Sequence, residues 1–178
     1  MSDLTLRPAT TADLPALSRL ATAAFVAKFG ELYSPADLAT FLSESLSQAA
    51  FAADLANPLR PVQLAERDGE LLAFAKLGLT CGFPEYARGT NAMELKQLYT
   101  APAALGGGIG SALMDWAMAT LAARGADEVQ LSVYSENPGA HRFYERYGFE
   151  KVADITFKVG EQLDPEFLYA KLLRPMFP

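Results

Sequence analysis

The 178-residue chain is 51% apolar, enough for one globular domain with a proper core. Its net charge of −6, from 15 Lys and Arg against 21 Asp and Glu, argues against a nucleic-acid binder, which needs clustered cations to grip phosphates. A single cysteine, Cys81, excludes an intramolecular disulfide; with a single histidine, His141, soft ligands are too few for a zinc site. No apolar run is long enough to span a bilayer and "MSDLTLRPAT" has no signal core, so a cytoplasmic protein without membrane attachment is expected.

In chain order, "LTLRPA" alternates like a short strand. Leu14, Leu17, Ala21, Ala24 and Phe25 follow at helical spacing, with Thr10, Thr11 and Asp13 as candidate caps and Pro15 favouring a late start. Residues 34 to 56 read as one or two more helices, opened by "SPADL" and closed by "NP". "PVQLAERDGELLAFAKLGL" predicts two strands joined by a hairpin at Asp68-Gly69. After the irregular "CGFPEYARGTN", a third strand, "AMELKQLYT", alternates Glu94, Lys96 and Leu98 on one face with Met93, Leu95 and Tyr99 on the other. "SALMDWAMATLAARG" predicts a helix with an apolar stripe of Leu113, Trp116, Ala117 and Leu121, ended by Gly125. "DEVQLSVYS" is a strand, "NPGAHRFYERYG" a short helix from Asn137, and "FEKVADITFKV" and "EFLYAKLL" are closing strands. Hairpins first and crossover helices later imply an α/β fold, or α+β in some schemes: a mixed sheet with helices on both faces.

The informative stretch is "APAALGGGIGS", which places a bare backbone directly before a helix. A helix N-terminus offers unpaired N–H groups and a positive dipole end, which suits a phosphate. Nucleotide-binding P-loops need Lys and then Ser or Thr after the last glycine, whereas Gly110 is followed by Ser111-Ala112. A dinucleotide fingerprint belongs near the first strand, and this loop follows the fourth.

"LGGGIG", residues 105–110, resembles the pyrophosphate loop Q/R-x-x-G-x-G/A of the GNAT superfamily of acyl-CoA-dependent N-acetyltransferases, with Gly108 and Gly110 as its last glycines. Leu105 stands where that family usually has Gln or Arg. "SENPGAHRFYERYGFEKV" is similar to the family's N-x-x-A-x-x-F-Y-x-x-x-G-F block at Asn137, Ala140, Phe143, Tyr144, Gly148 and Phe149. The resemblance implies a mostly antiparallel central sheet of about seven strands and one N-acetyltransferase domain over residues 1–178, with acetyl-CoA as co-substrate and no metal. It places the pyrophosphate on the backbone of Gly106, Gly107, Gly108, Ile109, Gly110 and Ser111, with Leu98, Tyr99, Thr100 and Asn137 beside the rest of the cofactor.

Moving an acetyl group from a thioester to an amine needs a neutral amine, a donor for the oxyanion and a proton for the leaving thiolate. The resemblance assigns the donor to the N–H of Leu98, the proton to Tyr144 and the general base to Glu94. The bland alternatives are a core aromatic for Tyr144 and a strand charge paired with Lys96 for Glu94. His141 reads as a solvated helix position. Glu31, Tyr33, Asp37, Glu85 and Tyr86 supply acids and aromatics in the first helices and the irregular loop, which suits a small cationic amine. The tail "FKVGEQLDPEFLYAKLL" faintly resembles bacterial spermidine/spermine acetyltransferases, pointing to a polyamine. A protein N-terminal or lysine acetyltransferase, and a non-catalytic acyl-CoA sensor or partner-binding module, are the alternatives; a homodimer is compatible with the chain.

Overall fold

A computed structural model of the chain describes residues 2–173. Its elements are β1 (Thr5–Pro8), α1 (Leu14–Phe29), α2 (Pro35–Ser45), α3 (Gln48–Ala56), β2 (Val62–Arg67), β3 (Glu70–Gly78), β4 (Ala92–Thr100), α4 (Ile109–Ala123), β5 (Glu128–Tyr134), α5 (Pro138–Arg146), β6 (Glu150–Val159) and β7 (Gln162–Leu172). Local chemistry sets several boundaries. Ser34 and Ser47 each cap a helix, accepting the N–H of Asp37 and of Ala50 at 3.1 Å, so the stretch 34–56 becomes two helices. Asp68 at φ 54° and Gly69 at φ 77° make the tight β2–β3 turn.

The strands form one seven-stranded sheet in the order β1-β2-β3-β4-β5-β7-β6. Neighbours are antiparallel except β4 and β5, which run parallel because α4 carries the chain back across the sheet. The closing hairpin is folded inward: β7 lies between β5 and β6, and it begins at Gln162, ahead of the expected Glu166.

Two apolar layers flank the sheet. Leu113, Met114, Ala117 and Leu121 of α4 pack with Met93, Leu95, Val129 and Leu131 on one face. Leu17, Phe25, Phe41 and Phe51 of α1 to α3 pack with Val62, Leu64 and Phe74 on the other. The irregular loop before β4 is tied to the start of β5: the fully buried Glu128 carboxylate accepts the N–H groups of Arg88 (2.7 Å) and Gly89 (2.8 Å). Asp127 accepts those of Thr90 (2.8 Å) and Asn91 (2.9 Å).

The expected alternation of β4 fails at one place. Leu77 pairs with Leu95 and Lys76 with Gln97, leaving Lys96 as the extra residue of a bulge. Beyond it the faces exchange: Leu98 joins Met93 and Leu95 on the α4 side, while Tyr99 packs on Phe74 at a ring separation of 5.3 Å on the other.

Phe51 is completely buried and meets the Phe74 ring edge-on at 5.5 Å. Phe51→Ala is expected to cost about 3–5 kcal/mol of stability, read from the urea midpoint, because the cavity it leaves cannot fully collapse. CoA affinity should be unchanged, since α3 lies away from the glycine stretch.

Candidate active site

β4 and β5 pair only at Ala92–Glu128, Met93–Val129 and Glu94–Gln130. Beyond these residues the strands part, and a cleft of about 490 Å³ opens, walled by residues 95–100 of β4 and 131–134 of β5. The direction of the exposed backbone follows from the ladder. The N–H of Ala101 donates to Leu72 O on the β3 side (2.8 Å). Strand alternation therefore turns the N–H of Tyr99 toward β3 as well and those of Leu98 and Thr100 toward the gap.

Leu105, 70% exposed, lines one end of the cleft and leads into the glycines. Gly106 (φ 82°) and Gly108 (φ 77°) adopt left-handed backbone that a side chain would strain. Gly108 caps α4 without any side-chain hydrogen bond, so the first-turn N–H groups stay available to an anion. Asn137 caps α5 by accepting the Ala140 N–H at 3.3 Å, which fixes the helix that carries Tyr144. Tyr144 lines the cleft between the rings of Phe143 and Phe149, and burial pushes its phenol up to about 12, leaving the hydroxyl protonated across the physiological range.

The other end lies beneath α1, walled by Phe25, Phe29, Tyr33, Tyr134 and Phe157. Here β7 contributes Asp164 and Glu166. Tyr33 donates its hydroxyl to Asp164 Oδ2, and Gln162 Nε2 donates to Asp164 Oδ1 at 2.8 Å. Among the described residues, Glu166 Oε2 is buried with no hydrogen-bond partner, and so is Oε1 of Gln97 on the β4 wall. Desolvation pushes the Glu166 carboxyl up to about 7; Ser132 opposes the shift and the Asp164 charge adds to it. Burial also raises the Tyr99 phenol, and the negative charge of Glu166 adds to the shift.

The structure thus brings Leu98, Tyr99, Thr100, Asn137 and Tyr144 to one cleft beside residues 106–111. Glu94 is elsewhere. It is 6% exposed, is not among the residues lining the cleft, and its Oε2 accepts the Gly82 N–H (3.0 Å) and Lys96 Nζ (3.1 Å). Of the acids and aromatics expected around an acceptor, Tyr33 lines the cleft. Glu85 and Tyr86 line a separate surface groove with Leu163 and Pro165, and Asp37 accepts the Glu161 N–H at 2.8 Å. His141 is not simply solvated: Nε2 lies 2.9 Å from Tyr134 O, and its ring stacks on Tyr169. Asp164 and Glu166 escaped sequence reasoning; their alternate spacing in "LDPEF", on the side of a strand opposite Leu163 and Phe167, was the available signal.

A parallel strand pair that opens beside a bare helix N-terminus offers backbone donors to an anionic, carbonyl-bearing ligand. Residues 21–149 match the acetyltransferase (GNAT) family. An uncharacterised N-acetyltransferase of Mycobacterium tuberculosis is 32% identical over 162 residues, covering 90% of this chain and 98% of the relative. The aminoalkylphosphonate N-acetyltransferase of Salmonella typhimurium is 33% identical over 101 residues, 57% of this chain and 64% of that protein. The PaiA N-acetyltransferase of Thermoplasma acidophilum, solved in complex with coenzyme A, shares the fold at TM-score 0.79 and 21% identity, covering 96% of this chain and 99% of its own. The chain belongs to the GNAT family and is an acyl-CoA-dependent N-acetyltransferase using acetyl-CoA.

Gly108→Glu should eliminate CoA binding in calorimetry, because it sets a carboxylate where phosphate is expected and strains a left-handed position by about 1–3 kcal/mol. Leu105→Gln should bind CoA at least as well as the wild type. Equal binding by Gly108→Glu would remove the glycine stretch from the cofactor site.

Proposed function

We propose that the protein transfers the acetyl group of acetyl-CoA to a primary amine on a small, cationic acceptor by direct attack in a ternary complex. The observation that carries this reading is the cleft itself, with Tyr144, Asn137 and the approach to the glycine stretch at one end and buried carboxylates among aromatic rings at the other. In this reading the pyrophosphate rests on the amides of residues 106–111 and the pantetheine arm passes Asn137. The thioester carbonyl accepts the Leu98 N–H in the gap, which stabilises the oxyanion as the amine adds. Collapse of the tetrahedral intermediate breaks the C–S bond, and the Tyr144 hydroxyl protonates the thiolate. A phenol pushed up to about 12 suits this step, since it is always loaded with its proton. Glu94 fixes Lys96 at the cleft wall rather than meeting the amine.

Aromatic walls and carboxylates suit an alkylammonium such as a polyamine. A second reading is an aminoalkyl acceptor with an anionic group, favoured by Lys28 and Lys96 at the cleft and by the likeness to the aminoalkylphosphonate enzyme. Thiol release from acetyl-CoA with a panel of polyamines, monoamines and aminoalkylphosphonates separates them: salt should raise KM for polyamines by screening, and turnover of phosphonates alone would overturn the cationic acceptor. No thiol release with any amine, alongside intact CoA binding, would favour a sensor.

Tyr144→Phe should lower kcat by roughly 10- to 1000-fold with CoA affinity unchanged, the loss expected for an acid catalyst. Unchanged kcat under conditions where chemistry limits would place the proton donor elsewhere.

A further inference from the structure

The acceptor's own proton has to go somewhere. An alkylamine has a pKa near 10.4, so only about one molecule in a few thousand is neutral at pH 7. The carboxylate expected to act as base, Glu94, does not line the cleft, and its Oε2 already accepts from the Gly82 N–H and Lys96 Nζ. Inside the cleft two carboxylates remain, and their surroundings differ. Both oxygens of Asp164 are occupied, by Tyr33 and by Gln162. Among the described residues, Glu166 has a buried oxygen without a partner, and Gln97 on the β4 wall has another unpaired acceptor. Buried acceptors left open are costly unless a donor-rich group fills them, and an ammonium brings three N–H donors.

We propose that Glu166 receives the acceptor's ammonium group in the cleft and takes its proton before attack. The assignment rests on the acetyltransferase reading above. One proton moves from the ammonium to the Glu166 carboxylate, and the freed lone pair adds to the thioester carbonyl carbon. The C–S bond then breaks, and the thiolate takes the Tyr144 proton. The nitrogen of the new amide returns a proton to the Tyr144 phenolate, and Glu166 releases its proton to solvent. The products are the acetamide, CoA thiol and one proton.

The groups facing Glu166 are consistent with this role. Asp164 on its own strand raises its proton affinity, while Ser132 on β5 lowers it. Tyr33 after α1, Tyr99 on β4 and Tyr134 on β5 are all pushed upward by burial first, so they remain neutral beside it. Tyr144 on α5 stays neutral likewise, and the cations that share the cleft are Lys28 of α1 and Lys96 of β4, the latter held by Glu94. A carboxyl pushed up to about 7 is half loaded near neutral pH, matched to proton exchange with a bound amine.

The test is Glu166→Gln, which keeps shape and removes the base. With the best amine of the panel, kcat/KM at pH 7 should fall about 100-fold or more. The deficit should shrink as pH rises toward the amine pKa, and the wild-type acidic limb near pH 7 should disappear. CoA affinity should be unchanged. A second readout does not depend on turnover. Because burial raises the folded-state pKa from 4.5 to about 7, the folded protein holds a proton that the unfolded chain has lost between those values. The carboxylate therefore lowers wild-type stability progressively as pH rises through that window. The Tm of Glu166→Gln minus that of wild type should grow through the same window and level off above it. A wild type that releases no thiol with any amine would overturn the transferase reading and this inference with it. An active wild type whose pH profile is shared by Glu166→Gln, or a Tm difference flat with pH, would overturn the role of Glu166 alone.

Discussion

The shortness of the β4–β5 ladder governs the rest of the molecule. Each of the two strands keeps its other neighbour: β4 stays paired with β3 as far as Thr100, and β5 stays paired with β7 as far as Tyr134. Neither strand can follow the other once they diverge after Glu94 and Gln130. The result is a rigid gap edged by backbone N–H and C=O groups that lack a ladder partner. Such groups are costly inside a protein, and a ligand with its own carbonyl and amides satisfies them. The closed end of the gap is pinned by Glu128 and Asp127, which hold the loop before β4 through backbone N–H groups.

Polarity divides the cleft along its length. At the α4–α5 end the open groups are donors: the Leu98 N–H, the first-turn amides of α4 and the Tyr144 hydroxyl. At the α1–β7 end the buried side-chain oxygens without a partner among the described residues are Gln97 Oε1 and Glu166 Oε2, with Asp164 engaged by Tyr33 and Gln162 and Lys28 as the cation on α1. A donor end suits an anionic cofactor and a developing oxyanion, and an acceptor end suits an ammonium. Their meeting at the parted strands is where an amine and a thioester would react.

Much of the fold was legible because period 2 and period 3.6 are strong over most of the chain, with Asp68-Gly69, Ser34, Asn137 and Gly125 marking turns and ends, whereas Ser47, the cap that divides 34–56 into two helices, escaped. The backbone of the glycine stretch and the start of α5 were legible too, since positive φ at Gly106 and Gly108 and a cap at Asn137 are local demands that leave residue-level traces. The α1–β7 end of the cleft was not. The placing of β7 between β5 and β6 brings Asp164 and Glu166 beneath α1, and strand order is a long-range outcome that no local pattern records. The bulge at Lys96 also escaped, because an extra residue on one strand shows only against its partner. That bulge exchanges the faces of β4, so Glu94 and Leu98, which strict alternation puts on one face, lie on opposite faces, and of the two Leu98 lines the cleft.

The claim on which the account turns is that acyl-CoA lies along the parted strands with its phosphates on the glycine stretch. The direct measurement is a titration of nitrogen-15-labelled protein with acetyl-CoA, followed by backbone amide resonances. The amides of Leu98 to Thr100 and of residues 106–111 should shift together and saturate at one stoichiometric equivalent. Shifts confined to the groove of Phe83, Glu85 and Leu163, with Leu98 and Gly108 unmoved, would contradict it.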